Sequence, residues 1–136
     1  MAGGSSAQGA AQILNFYLRG VTPTLGVTVY LRLLTTPSTK TTSGTEAGFG
    51  SYARIPLVRG LGLFTDPLLT SRSTNVAALQ TAVATSLGDD IVAFDIVDTA
   101  SGAFAATYLF GNVTPARSIT VGKRVKFPAG ALIVTA

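Results

Sequence analysis

Asp89, Asp90, Asp95 and Asp98 fall within ten residues. Carboxylates that close together are the one grouping in the chain that suggests acid–base work or a Ca²⁺ site. Their spacing matches no Ca²⁺-binding loop, and strand alternation sends Asp95 and Asp98 to opposite faces. Acids placed at turns and hairpin ends are the favoured reading. The chain has no His, Cys or Trp, which removes the Ser-His-Asp triad, the Cys-His pair, the usual zinc sites and the commonest general base at neutral pH. No catalytic, cofactor-binding or metal-ligating residue is therefore assigned, and an enzyme is the remotest expectation. Gly60-Leu61-Gly62 lacks the third glycine and the lysine of a phosphate-cradling loop and reads as a turn. Asn112-Val113-Thr114 fits the glycosylation pattern, but Pro115 follows and no secretory signal is visible.

The basic residues offer contacts rather than chemistry. Ten Lys and Arg against six acids give a net charge of +4, and the only basic cluster is Lys123-Arg124-Val125-Lys126. It alternates, so Arg124 and Lys126 share an outer face while Val125 and Phe127 point inward. That suits a solvated or interface-facing strand, whereas nucleic-acid binding calls for a denser patch interleaved with aromatics. Tyr52 and Arg54 also share a strand face. They are candidates for a subunit contact, because Tyr and Arg are enriched at binding hot spots. A core Tyr beside a surface Arg explains them equally well.

These residues must be held by short strands. Residues 1–10, rich in Gly, Ser and Ala, read as a flexible N-terminal arm. Residues 11–136 form one domain. From Ala10 to Arg19 the apolar residues Ile13, Phe16 and Tyr17 recur at i, i+3, i+4, with Leu14 and Leu18 beside them and Gly20 as a stop. This is the one helix expected. Past Pro23 the texture changes to Thr, Val and Gly. Strands are expected over 27–34, with Val27, Val29, Leu31 and Leu33 inward, and over 51–58, where Pro56 marks an edge or bulge. A strand over 91–97 turns at Asp98–Gly102 into a partner over 104–110. A hairpin around Gly122 pairs 117–121 with 123–127, residues 132–135 close the sheet, and 74–84 is read as strand. The fold class is all-β: an antiparallel β-sandwich or flattened barrel with one short N-terminal helix.

Composition bounds the function. The chain is 47% hydrophobic but only 12% charged, about half the charge density of an average domain. Surfaces buried between subunits would resolve that shortage. No apolar run approaches the ~20 residues of a spanning helix, so no membrane role is expected. The N-terminus lacks the basic and apolar regions of a signal peptide. The lack of Cys fits synthesis in a reducing cytoplasm.

Val29-Tyr30-Leu31-Arg32-Leu33-Leu34-Thr35-Thr36-Pro37 is followed by Gly44-Thr45-Glu46 and Ser51-Tyr52-Ala53-Arg54. Later come Ser73-Thr74-Asn75-Val76, Ile96-Val97-Asp98-Thr99-Ala100-Ser101-Gly102, and an ending through Val121-Gly122-Lys123, Phe127 and Ala129-Gly130-Ala131-Leu132. In this order the segments resemble a family of small tailed-bacteriophage virion proteins, commonly labelled tail fibre protein, from about Ile13 to Val134. The chain departs from the family pattern at Asp95, where Gly is usual, and at Lys123, where Asp is usual. Similar small β-domains serve as head decoration, or cement, proteins, often as trimers.

The resemblance implies a virion structural protein, assembled in the host cytoplasm, whose partners are the major capsid protein or other virion subunits. It also implies a homo-oligomer, with a trimer favoured. The absence of a repetitive shaft favours a capsid decoration protein that clamps neighbouring capsid subunits; the alternative is a tail fibre or tail-tip component. Tyr52, Arg54, Arg124, Lys126 and the N-terminal arm are the expected subunit contacts. No cofactor, nucleic acid or membrane is expected as a partner.

Overall fold

The computed structural model describes residues 4–23, 26–60, 62–67, 72–86, 88–103 and 107–135. In chain order the elements are β1 (Gly4–Ser5), α1 (Ala7–Arg19), β2 (Thr28–Leu34), β3 (Ile55–Val58), β4 (Arg72–Thr74), β5 (Leu79–Gln80), β6 (Asp90–Val97), β7 (Thr107–Ser118), β8 (Lys126–Phe127) and β9 (Ile133–Thr135). β1, β7, β6, β2 and β3 form one sheet in that order, while β4 pairs with β9 and β5 with β8 in two short ladders. Every pairing is antiparallel. The fold is thus all-β, with one short helix among the described residues.

The Val-, Ile- and Leu-rich β2 and β6 form the centre of the sheet, as β-branched and aliphatic residues favour. Leu31, Leu33, Leu57, Phe94 and Ile96 point from it into a core that Phe49, Val125, Phe127 and Leu132 close from the other layer. Side chains of this size each contribute about 1.5–3 kcal/mol on full burial. Gly111 lies opposite Phe94, and a Cβ there would sit 2.7 Å from the Phe94 ring; the missing side chain makes room for the phenyl. Pro56 lies in β3 at the sheet edge, where its missing N–H costs no ladder bond.

Several sequence expectations change. The strand expected over 51–58 shortens to β3, leaving Tyr52 and Arg54 in the segment before it. Val27 is 73% exposed and lies outside β2. The strand expected to end at Phe110 runs on as β7 to Ser118, whereas Phe104–Ala106 lie outside the described residues. The chain does turn at Gly122, whose φ is +85°, but Arg117 and Ser118 pair with β6 and Lys126 and Phe127 with β5. Residues 117–127 therefore join two layers instead of forming a hairpin within one. Of the 74–84 segment only Thr74, the last residue of β4, and Leu79–Gln80, which form β5, are strand. Residues 132–135 contribute β9 to the β4 ladder, not to the main sheet.

The N-terminal segment is placed differently from a free arm. Gly4 and Ser5 pair with Phe110 and Leu109, and α1 starts at Ala7. Ser6 caps it, its Oγ accepting from Gly9 N at 3.0 Å, while the same hydroxyl meets the Thr107 and Tyr108 carbonyls. Gly9 is the only buried residue of the helix, and a Cβ on it would lie 2.2 Å from Tyr108 O. Alanine is the better helix former by about 1 kcal/mol, so helix propensity alone would make Gly9→Ala stabilising. The overlap with β7 should reverse the sign, to a loss of about 1–3 kcal/mol. Thermal unfolding of the variant reads that sign directly.

Candidate functional site

The four clustered acids separate in the fold. Asp89 Oδ2 accepts from Gly48 N at 2.7 Å, and Asp90 Oδ1 accepts from Ser118 Oγ at 2.6 Å. Asp98 lies in the turn after β6. Asp95 overturns the expectation of a turn acid: it is mid-strand and wholly buried. Its strand register sets it directly opposite Arg32, itself 4% exposed. Arg32 donates from Nε to Asp95 Oδ1 at 2.8 Å and from Nη2 to Oδ2 at 2.5 Å, a two-pronged ion pair. Ser38 Oγ donates to the same carboxylate at 2.8 Å and accepts from Gly44 N at 2.8 Å. Arg32 Nη2 also reaches Ser43 Oγ at 2.7 Å. The ion pair thus fastens the 38–44 loop over the sheet face that alternation had marked as outward.

Tyr52 and Arg54 form a second lock with Glu46. Arg54 is 7% exposed and donates to both Glu46 oxygens, at 2.8 and 2.9 Å. It also donates to Thr99 O and Oγ1, each at 3.0 Å, and to Gly102 O at 2.8 Å. Gly102 has φ +70°, the left-handed conformation that aims its carbonyl there at no steric cost. The half-buried Tyr52 donates its hydroxyl to Glu46 Oε1 at 2.9 Å and accepts from Leu33 N at 3.1 Å. Burial pushes the Glu46 carboxyl up, but hydrogen bonds from Arg54 and Tyr52 and the Arg54 charge outweigh it and hold the group below its ordinary value. The Tyr52 phenol is pushed up, first by burial and further by the Glu46 charge. These groups are hydrogen-bonded within the chain and join three segments of it.

Asn75, 1% exposed, is a third such staple. Its amide nitrogen bonds the carbonyls of Ala77, Phe127 and Pro128, and its oxygen accepts from Leu132 N at 2.9 Å. Arg124 and Lys126 are exposed and flank the buried Val125 and Phe127, matching the alternation. They belong to the β8 side of the second layer, so the structure does not gather the four expected contact residues into one patch.

Residue types suited to chemistry do not mark the molecule's apolar surface. On α1, Ile13, Leu14, Phe16, Tyr17 and Leu18 are between 44% and 77% exposed. A helix buried along one stripe carries polar residues opposite it, yet Arg19 is the only charged residue here. The adjacent Leu14 and Leu18 were the sequence signal that this helix is apolar on more than one side. A hollow beside it is lined by Gly9, Ile13, Phe16, Tyr108 and Leu109. Tyr108 and Leu109 also border an apolar groove of about 320 Å³, with Val29, Leu57, Leu63 and Phe64. Helix, hollow and groove adjoin one another.

Known proteins add one finding. A family model described as Podophage GP4 fiber I protein gp80 matches residues 4–135. No curated protein matches the chain. The match runs from the start of β1 to the end of β9 and takes in both charged locks, Asn75 and α1. The chain therefore belongs to the Podophage GP4 fiber I protein gp80 family, a family of phage virion structural proteins.

Proposed function

We propose that the protein is a non-enzymatic virion subunit that works by docking onto neighbouring subunits through the apolar surface around α1. The observation that carries this reading is the contrast between the two kinds of site. Arg32, Asp95, Glu46, Tyr52 and Arg54 are hydrogen-bonded within the chain, while α1 turns large aliphatic and aromatic side chains outward. Such a patch on a soluble surface marks an interaction site.

Two places in the particle have distinct support. The family description favours the fibre apparatus. The charge-poor composition, 12% charged residues, favours a many-copy decoration that clamps the major capsid protein. A protein that binds only the assembled lattice stabilises it by mass action. Quantitative mass spectrometry of purified particles, with labelled-antibody localisation, separates them. Hundreds of copies on the head establish decoration, a handful on the tail establish a fibre component, and absence from the particle defeats the docking reading.

A further inference from the structure

We infer that the partner of the α1 face is a second copy of this chain, with α1 of one subunit seated in the groove between Leu57, Phe64 and Leu109 of the next. This deepens the docking reading by naming the partner. Three observations carry it.

The first is shape. The subunit bears an apolar helix and an apolar groove, and Tyr108 and Leu109 line both the groove and the hollow beside the helix. An apolar helix on one copy fitting an apolar recess on the next is a heterologous contact, which closes into a ring where the rotation between copies allows it.

The second is area. Side chains of this size carry roughly 150–250 Å² each. At the exposures of Ile13, Leu14, Phe16, Tyr17 and Leu18, α1 shows on the order of 500 Å². The groove walls raise this towards the ~800 Å² per partner of a stable interface. A groove of about 320 Å³ has room for one or two large side chains such as Phe16 and Tyr17.

The third is charge. Copies carrying +4 each repel, so a contact between them must use charge-poor surface. Arg19 is the one charged residue of α1, and it donates to Asn15 Oδ1 at 3.0 Å. Arg59 is the charged residue at the groove, and it donates to Gly26 O at 2.8 Å. Among the described residues of the helix and the groove lining these two arginines are the only charged ones, so the contact is carried by apolar surface.

The absence of cysteine makes the arrangement directly testable on the full chain. Tyr17 is 76% exposed, and Gly60 lines the groove with open space around a Cβ. Tyr17→Cys and Gly60→Cys proteins, mixed and mildly oxidised, should form a disulfide-linked pair at least tenfold more abundant than either variant gives alone. Sedimentation at tens of micromolar should show the unmodified chain as a closed dimer or trimer. Leu18→Glu and Tyr17→Glu should weaken that association at least 100-fold with unchanged circular dichroism. A monomeric unmodified chain at 100 micromolar overturns the inference. So does cross-linking of Tyr17→Cys alone at the level of the mixture, which would mean helix against helix. A monomer that nevertheless occupies particles would overturn only the self-pairing and leave the docking reading standing.

Discussion

Asp95→Ala should destabilise the protein by about 3–5 kcal/mol, because it leaves the buried Arg32 guanidinium without its counter-charge. Domains of this size shift their midpoint by a few degrees per kcal/mol, so the expected fall in Tm is about 10 °C or more. Asp95→Asn keeps the shape and part of the hydrogen bonding and should fall between. The informative control removes both charges. Arg32→Met with Asp95→Leu leaves no unpaired ion, and buried pairs replaced by apolar residues commonly come out neutral or better. Denaturant unfolding of the three variants measures each cost. Hydrogen exchange adds a local readout, since Gly44 N–H is held by Ser38, which is held by Asp95. Its exchange should accelerate in Asp95→Ala beyond what the global loss of stability explains. A cost under 1 kcal/mol for Asp95→Ala would show that water reaches Arg32 and that the loop is no seal.

The two strands carrying this pair were legible from sequence, while the pair itself was not. β2 and β6 announce themselves by alternation and β-branched content, information held within eight residues. Whether the polar-looking face of a strand meets water depends on what lies over it. Here a loop of Ser, Thr and Gly covers it, a composition that ordinarily reads as solvent-exposed. Only the register that sets Arg32 opposite Asp95, 63 residues apart, turns two scattered charges into one interior contact. Arg54 was hidden in the same way, since its acceptors come from Glu46 and from the turn at Thr99 and Gly102. The N-terminus shows the converse. Gly and Ser there read as flexibility, but Ser6 is a helix cap and Gly9 a close contact with β7. The recurring segments that carried the family resemblance, Gly44-Thr45-Glu46, Ser51-Tyr52-Ala53-Arg54 and Asn75, therefore prove to be internal fasteners.

The Arg54 lock should resist even the conservative change. Arg54→Lys keeps the charge but replaces a fork of donors with one ammonium, which cannot span Glu46, Thr99 and Gly102 together. Hydrogen bonds to charged groups contribute about 1.5–3 kcal/mol each when lost singly. Glu46 is partly open to water, which recovers some of that, so a total of about 2–3 kcal/mol is expected. The pH profile separates the ionic part from packing. Glu46 has its folded pKa below the ordinary value, so its contribution is present above the unfolded pKa, about 4.3, and is lost as pH falls through the folded value. Unfolding free energy of the unmodified chain should therefore drop on acidification from pH 5 to pH 3. The Arg54→Lys and Glu46→Gln proteins should start lower at pH 7 and lose less over that interval. Parallel acid limbs in all three would mean that Arg54 acts through packing of its stem and not through Glu46. Because the lock ties the turn at residues 98–102 to the loop before β3, its release should loosen that end of the sheet while leaving α1, held by β7, in place. Association through α1 and stability through Arg54 are thus separable, and a variant that lost both at once would contradict the division of this molecule into an internally bonded frame and an apolar docking face.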